Sequence, residues 1–123
     1  MLVVERTRAR LASALETAST PWQRAKGLLG RNTLPPGGGL LIRPCRAVHT
    51  WFMRFPIDVV FIDDDRRIVR IAHRLAPFRT ASGGRRARAV IELPAGCADA
   101  AGAIEGDRVA FASEGQRSEA EGC

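Results

Sequence analysis

The residues best equipped for chemistry lie between Cys45 and Asp58. This segment interleaves large apolar side chains with a thiol, an imidazole, a guanidinium and a carboxylate. Function concentrates where local sequence rules are broken, and charged groups among aromatic residues break them. Aromatic walls with a few hydrogen-bonding groups suit a small polar ligand such as a sugar or a carboxylate. The candidate ligand-binding residues are therefore His49, Trp51, Met53, Arg54 and Asp58.

Catalytic or metal-binding use of Cys45 and His49 is the main alternative. A thiolate–imidazolium pair would make the protein a hydrolase, and the same two residues with His73 and Cys97 are ligand types that bind zinc. However, Cys45 and His49 would lie about 13 Å apart on a strand and adjoin only on a helical turn. The zinc set also lacks the close paired spacings of structural sites. We therefore assign no catalytic residue, no metal ligand and no cofactor.

Asp58 is the residue of the segment for which the sequence makes the most definite prediction. It shares strand parity with apolar neighbours, so it is predicted to point into an apolar layer, where an unpaired carboxylate is very costly. Arg54 lies about 13 Å away along a strand and cannot reach Asp58 unless the chain bends at Pro56. We favour a structural role in which Asp58 accepts backbone amides or an arginine from elsewhere, such as Arg74 or Arg79, over a part in ligand binding.

Three other features leave alternatives open. Alternation places His73 in line with apolar residues of its strand, which predicts burial. Glu92, between two apolar residues, is equally compatible with an inward and a solvent-facing carboxylate. If the Trp51–Phe55 strip is exposed, the chain is instead a protein-interaction domain.

The formal charge of +6 invites a nucleic-acid partner. Eighteen of the nineteen basic residues are arginine, and they are scattered, with the densest cluster at residues 85–88. Such scattering argues against a nucleic-acid partner, and so does the lack of aromatic residues among the basic ones outside Trp51–Phe55. The expected partner is therefore a small molecule.

No apolar run approaches the roughly 20 residues that span a bilayer. Three cysteines, an odd number, fit reduced thiols. We predict a cytoplasmic protein without membrane association.

One helix and a series of short strands are predicted to position the segment. Thr20-Pro21-Trp22-Gln23 forms a capping box, and an apolar stripe follows it, which predicts an amphipathic helix over about residues 20–31. Apolar runs and alternation predict strands at residues 2–5, 11–17, 39–43, 57–62, 67–75, 89–93 and 108–112. The fold class is therefore mainly β, a compact β-sandwich or partly open barrel with that one helix.

The connections complete the prediction. A turn at Asp63–Arg66 makes a hairpin of the strands around it. Residues 76–88 are predicted as a long exposed loop, and residues 97–103 as a short helical turn. Residues 1–112 are predicted to form a single domain, and residues 113–123 a disordered polar tail.

A series of motifs follows one another along the chain. They are a helix end at residues 24–31, a Gly-Leu-Leu-Ile strand at residues 39–42, and the segments 51–54, 56–63, 90–96 and 104–109. In this order the motifs resemble the domain of unknown function 192 family, over roughly residues 10–112. The resemblance implies a compact β-sandwich or barrel-like fold and no established reaction. One departure is that Phe55 and Pro56 follow Arg54, where family members often have Asn and Thr.

Overall fold

The computed structural model describes residues 1–18, 34, 37–51 and 53–111 of the chain. The predicted helix over residues 20–31 and the predicted tail over residues 113–123 lie outside these residues. Within them the chain forms ten strands and one short helix. The elements are β1 (Leu2–Val4), β2 (Arg10–Ala12), β3 (Ala14–Ala18), β4 (Gly38–Ile42), β5 (Ala47–His49), β6 (Ile57–Ile62), β7 (Ile68–Leu75), β8 (Thr80–Ser82), β9 (Ala89–Pro94), α1 (Cys97–Ala100) and β10 (Val109–Phe111).

The largest sheet has the strand order β3-β4-β9-β6-β7, with β3 and β4 parallel and the other neighbours antiparallel. All six residues of β6 are buried, as its continuous apolar run predicts for a strand covered on both faces. β6 and β7 form the predicted hairpin. A three-stranded sheet β10-β1-β2 and a two-stranded ribbon β5–β8 complete the described residues, and these sheets do not close into a barrel. The mainly β fold class is confirmed.

The two faces of β6 serve two separate hydrophobic cores. The first core cluster lies between the large sheet, the three-stranded sheet and α1, and the second lies on the opposite face of the large sheet. Each fully buried aliphatic or aromatic side chain stabilises the fold by about 1.5–3 kcal/mol relative to exposure. The first cluster includes Val60, Ile62, Leu2, Val4, Leu11, Val109 and Ala98. The second includes Ile57, Val59, Phe61, Leu40, Ile42, Met53, Ala81 and Val90.

The predicted strand over residues 11–17 is divided in the structure. The Gly37 carbonyl accepts the amides of Ser13 (2.8 Å) and Ala14 (3.0 Å). The chain bends at Ser13, so β2 joins the three-stranded sheet while β3 joins the large one. Alternation alone cannot reveal a change of sheet, because both halves keep an extended backbone.

The predicted exposed loop over residues 76–88 is wrong. It contains β8, which pairs with β5 and buries Ala81 against the second core cluster. At Gly83, an added Cβ would lie 2.7 Å from the Phe61 side chain, so glycine is needed for this close approach. Small residues of this segment, which are also typical of loops, allow β8 to pack closely against the large sheet.

An ion pair between the buried Asp107 and the exposed Arg6 ties the turn before β10 to the segment that follows β1. Both carboxylate oxygens of Asp107 accept from the Arg6 guanidinium, at 2.7 and 3.0 Å, and the Ile104 amide donates to Asp107 Oδ2 at 3.0 Å. These hydrogen bonds, that of Arg6 foremost, hold the pKa of Asp107 below its ordinary value against the opposing effect of burial.

The variant Asp107→Asn is expected to be less stable than the native protein at pH 7, with a smaller loss of stability in acid. Because folding lowers the pKa of Asp107, its contribution is fully present above the unfolded value of about 3.9 and is lost as the pH falls through the folded value. Urea unfolding from pH 6 to pH 2.5 measures this difference, with the exposed Asp65→Asn as the control. Parallel pH profiles for Asp107→Asn and the native protein would contradict it.

Candidate functional site

Asp58 is completely buried and is satisfied by backbone amides. Its Oδ1 accepts the Arg74 amide at 2.8 Å, and its Oδ2 accepts the Gly96 amide at 3.1 Å and the Ala98 amide at 2.9 Å. The carboxylate thus fastens β7 and the start of α1 to β6. Of the partners predicted for Asp58, the backbone amides are confirmed. The Arg74 guanidinium bonds instead to Asp99, at 2.8 Å.

The prediction that His73 is buried is wrong. His73 is exposed, with Nδ1 3.4 Å from Asp99 Oδ1. It lies in a β-bulge opposite Asp58, where Val59 pairs with Ala72 but Ile57 pairs with Leu75, so β7 carries one extra residue at this point. Arg74 takes a left-handed backbone (φ 48°) there.

Asp58 and Met53 lie on opposite faces of the large sheet. The carboxylate is hydrogen-bonded to α1, which packs on the first core cluster, whereas Met53 is buried in the second. The structure therefore does not bring these two candidate residues together. Glu92 does point inward, since it is 4% exposed and lies in register between Leu40 and Val59.

The two cysteines of the zinc and hydrolase alternatives are also apart. Cys45 packs against the second core cluster and Cys97 against the first. Cys45 and His49 are not on one helical turn, because β5 is extended and the Cys45 thiol donates to the Ala47 carbonyl (3.1 Å). Among the described residues no group of three or more His, Cys, Asp or Glu side chains could hold a metal ion. Burial, and then the Asp58 carboxylate, raise the pKa of the Cys97 thiol, which makes it a poor nucleophile.

His49 and Trp51 lie on the solvent-facing side of the β5–β8 ribbon. In the register of the ribbon His49 pairs with Thr80, which is the last cross-strand pair at this end. Beyond it the chain turns, and the Phe78 amide donates to the Thr50 carbonyl at 3.0 Å. Trp51 thereby faces Phe78, with the ring centroids 5.9 Å apart and the planes at 83°. Trp51 is 46% exposed and Phe78 52%.

Thr50 fixes the end of the ribbon from the inside. Its buried hydroxyl donates to the Ala76 carbonyl at 2.6 Å and accepts the Arg79 amide at 2.9 Å, and the Arg79 carbonyl lies 3.2 Å away. The Thr50 amide donates to that same Arg79 carbonyl at 2.8 Å. This network holds Trp51 and Phe78, the residues that flank it on the two segments, in fixed positions.

The remaining members of the predicted strip have different surroundings. Arg54 is exposed, Phe55 is half-buried against the second core cluster, and Met53 is buried. The predicted strip is therefore exposed at Trp51 and Arg54 but is partly core. The ligand-binding role of His49, Trp51, Met53, Arg54 and Asp58 stays a prediction.

A pocket of about 410 Å³ lies elsewhere, where β4, β6 and β10 end and β9 begins. Asp63 Oδ1 accepts the amides of Asp65 (2.8 Å) and Arg67 (2.9 Å) and so closes the β6–β7 turn. Asp64 Oδ2 lies 3.6 Å from the Arg88 guanidinium. The lining residues are Arg43, Pro44, Ile62, Asp63, Asp64, Arg66, Arg88, Ala89 and Phe111.

Two arginines of this pocket have no carboxylate within ion-pair distance among the described residues. They are Arg43 and Arg66. The Arg43 guanidinium carbon lies 5.9 Å from the centre of the Phe111 ring, a distance at which the ring attracts a cation. Three arginines and two aspartates line the pocket, so its net formal charge is positive.

The sequence profile of the domain of unknown function 192 family (Uncharacterized ACR) matches residues 3–111. The chain belongs to this family. Two crystal structures are similar to the structure of this chain. One is a protein of unknown function from Novosphingobium aromaticivorans DSM 12444, which is 28% identical, with 79% of this chain and 74% of that chain covered and a TM-score of 0.72.

The other structure, from Sinorhizobium meliloti 1021, is described as that of a candidate transcription regulator. It is 30% identical, with 78% of this chain and 79% of that chain covered and a TM-score of 0.69. A comparison with curated proteins finds no match to this domain of unknown function 192 protein. Over its described residues, the chain contains no helix that is both long and apolar enough to cross a membrane.

Sequence reasoning missed the pocket of this domain of unknown function 192 protein because its walls come from distant parts of the chain. Arg43, Arg66 and Phe111 are separated by more than twenty residues from one another. The isolated bridge between Arg67 and Arg108 draws the β6–β7 turn beside the start of β10. The sequence does predict the turn that contains Arg66, and in the structure Arg66 has a left-handed backbone there (φ 65°).

Proposed function

We propose that this protein is a non-enzymatic binding module for a small organic anion of the carboxylate type. The observation that carries the proposal is the pocket in which Arg43 and Arg66 lack a carboxylate partner among the described residues. Its volume of about 410 Å³ falls within the range of about 300–1,000 Å³ that small-molecule sites occupy.

The charge and shape of the lining favour an anion with an apolar body. Asp63 accepts the turn amides and Asp64 lies beside Arg88, and the three arginines of the lining outnumber its two aspartates. A guanidinium presents paired N–H donors that match a carboxylate, and such hydrogen bonds are stronger than neutral ones. Phe111, Ile62 and Pro44 supply apolar wall for the rest of the ligand.

The pocket is separate from the residues that sequence reasoning selected. None of His49, Trp51, Met53, Arg54 or Asp58 lines it. The ligand class agrees with the carboxylate of the sequence prediction, but the supporting residues differ. A reaction is not part of the proposal, because the lining residues include neither a thiol nor an imidazole.

Benzoate is expected to bind and to raise the melting temperature of the native protein, whereas its uncharged isostere benzamide is not. Loss of one charged hydrogen-bonding partner weakens binding by about 1.5–3 kcal/mol, which is roughly tenfold or more. Arg43→Gln and Arg66→Gln should each show this loss in isothermal titration calorimetry. Thermal shift measurements with both compounds provide the first test.

The matched control is Arg8→Gln, which removes an exposed arginine that also has a left-handed backbone (φ 62°) but lies outside the pocket. It should bind benzoate as the native protein does. Equal effects of benzoate and benzamide, or equal losses in Arg8→Gln and Arg66→Gln, would exclude an arginine-based carboxylate site.

A further inference from the structure

The solvent-facing side of the β5–β8 ribbon presents three rows of exposed residues. Two of the rows are cross-strand pairs of the ribbon, in which alternate residues share a face, and one row is an aromatic ring pair just beyond the strand ends. Val48 and Ala81, between the rows, point inward to the second core cluster. The rows are Trp51 with Phe78, His49 with Thr80, and Ala47 with Ser82, and all six residues are exposed.

The segments that build this face are free of acidic residues. Residues 43–57 and 75–91 contain seven arginines and no aspartate or glutamate. Among the described residues, no carboxylate lies within ion-pair distance of Arg46, Arg79, Arg85 or Arg86. The Gly83 amide donates to the Arg46 carbonyl at 2.8 Å, so Arg46 lies at the end of the ribbon opposite to Trp51. The aromatic pair therefore lies at one end of the face with Arg79 next to it, and Arg46 lies at the other end, where Arg85 and Arg86 follow β8.

The aromatic end of the face is held in a strained and fixed geometry. Phe78 has a left-handed backbone (φ 61°), which is unfavourable for a residue with a bulky side chain. The Thr50 hydroxyl holds the backbone on both sides of it, through Ala76 and Arg79. Such strain persists where the surrounding structure enforces it, and it clusters at binding sites. The fold thus fixes two large aromatic side chains in solvent rather than in a core.

We propose that this face binds single-stranded nucleic acid. A base stacks against the Trp51–Phe78 pair, the hydroxyls of Thr80 and Ser82 and the His49 imidazole bond to sugar or phosphate oxygens, and the arginines at the far end engage the following phosphates. The distance from the first row to the third is about 13 Å, which admits a short stretch of strand. Stacking on aromatic side chains within a positively charged surface is how proteins bind single strands without reading sequence.

Other polyanions fit the face less well. A membrane would require several large exposed aliphatic side chains, and the small Ala47 is the one aliphatic residue among the six of this face. A peptide would require pockets for alternate side chains, whereas the rows between the aromatic pair and the arginines are short and polar. A duplex is read by an element that enters a groove, and this face is a flat two-stranded ribbon.

Arginines that are scattered along the chain come together at this face. Pairing of β5 with β8 places Ala47–His49 beside Thr80–Ser82, and Arg46 and Arg79 directly adjoin these strands. The missing aromatic interleaving is supplied across the strands, because Phe78 is brought to Trp51.

Fluorescence anisotropy with a fluorescein-labelled fifteen-residue oligothymidylate tests the proposal on the full chain. The native protein should bind in low salt, and Trp51→Ala and Phe78→Ala should each weaken binding roughly tenfold. Arg46→Gln and Arg86→Gln should each reduce the slope of log affinity against log salt by about 0.7. The matched control is Ile104→Ala, which removes another exposed apolar side chain (57% exposed) and should leave binding unchanged.

Three results would overturn the proposal. The first is no oligothymidylate binding by the native protein. The second is binding that depends on the arginines but is equal in the native protein and Trp51→Ala, since only charge would then matter. The third is heparin, polyglutamate or phosphatidylserine vesicles competing with the same dependence on Trp51, which would assign the face to another class of anion. Circular dichroism spectra of the variants that match the native spectrum keep each loss attributable to the face.

Discussion

Replacement of Asp58 by alanine is expected to lower the free energy of unfolding by about 3–5 kcal/mol. The substitution removes the acceptor of three backbone amides, those of Arg74, Gly96 and Ala98. A buried donor left without an acceptor costs about 1–3 kcal/mol, and partial entry of water limits the sum. The bulge in β7 and the first turn of α1 would lose their common attachment to β6.

Asp58→Asn is expected to be almost as destabilising, although it keeps the shape of the side chain. The amide oxygen can accept either from Arg74 or from the Gly96 and Ala98 pair, but the amide nitrogen then faces N–H donors on the other side. A role that needed only volume at this position would predict a mild effect for asparagine. The hydrogen-bond geometry predicts a loss within about 1 kcal/mol of that of alanine.

Urea denaturation of Asp58→Ala, Asp58→Asn and the surface control Asp65→Asn measures these losses. Hydrogen exchange gives the local reading, since the amides of Arg74, Gly96 and Ala98 should lose protection before those of β9. An asparagine variant within about 0.5 kcal/mol of the native protein would contradict the anchoring role.

The case of Asp58 indicates how far sequence reasoning reaches. Its burial follows from strand parity, and its need for partners follows from the cost of a buried carboxylate. The identity of those partners depends on the bulge in β7 and on where α1 begins, which are tertiary features. His73, which alternation predicts to be buried, is exposed beside the same bulge. The local sequence pattern thus predicts that a residue needs hydrogen-bonding partners more reliably than it predicts which groups supply them.

For the candidate sites, too, the sequence predicts the strands but not the contacts that depend on tertiary structure. Strong periodicity predicts β6, β9 and their neighbours because the two cores require it. The β5–β8 ribbon was missed because Ala81 and Gly83 look like loop residues, although they are small in order to pack against Phe61 and the second core cluster. The pocket was missed because Arg43 and Arg66 are distinguished by having no carboxylate within ion-pair distance among the described residues, and a sequence does not show which side chains are neighbours.

Thr50→Val is expected to lower the free energy of unfolding by about 2–3 kcal/mol. Valine has the shape of threonine but lacks the hydroxyl, so the Arg79 amide and the Ala76 carbonyl lose their partner in a buried position. Each unsatisfied group costs about 1–3 kcal/mol. Because the same hydroxyl joins the two segments that present Trp51 and Phe78, the aromatic pair should lose its fixed geometry as well.

Thr50→Ser separates the hydroxyl from the rest of the side chain. Serine keeps the donor and acceptor and loses one methyl group, which costs about 1 kcal/mol in a buried site. Urea denaturation should therefore rank the proteins as native, then serine, then valine, and hydrogen exchange of the Phe78 and Arg79 amides should rise mainly in the valine variant. If serine were as damaging as valine, packing of the methyl group rather than the hydroxyl network would hold the ribbon end. If both variants matched the native protein, the aromatic pair would owe its position to its own ring contact and to the left-handed backbone of Phe78.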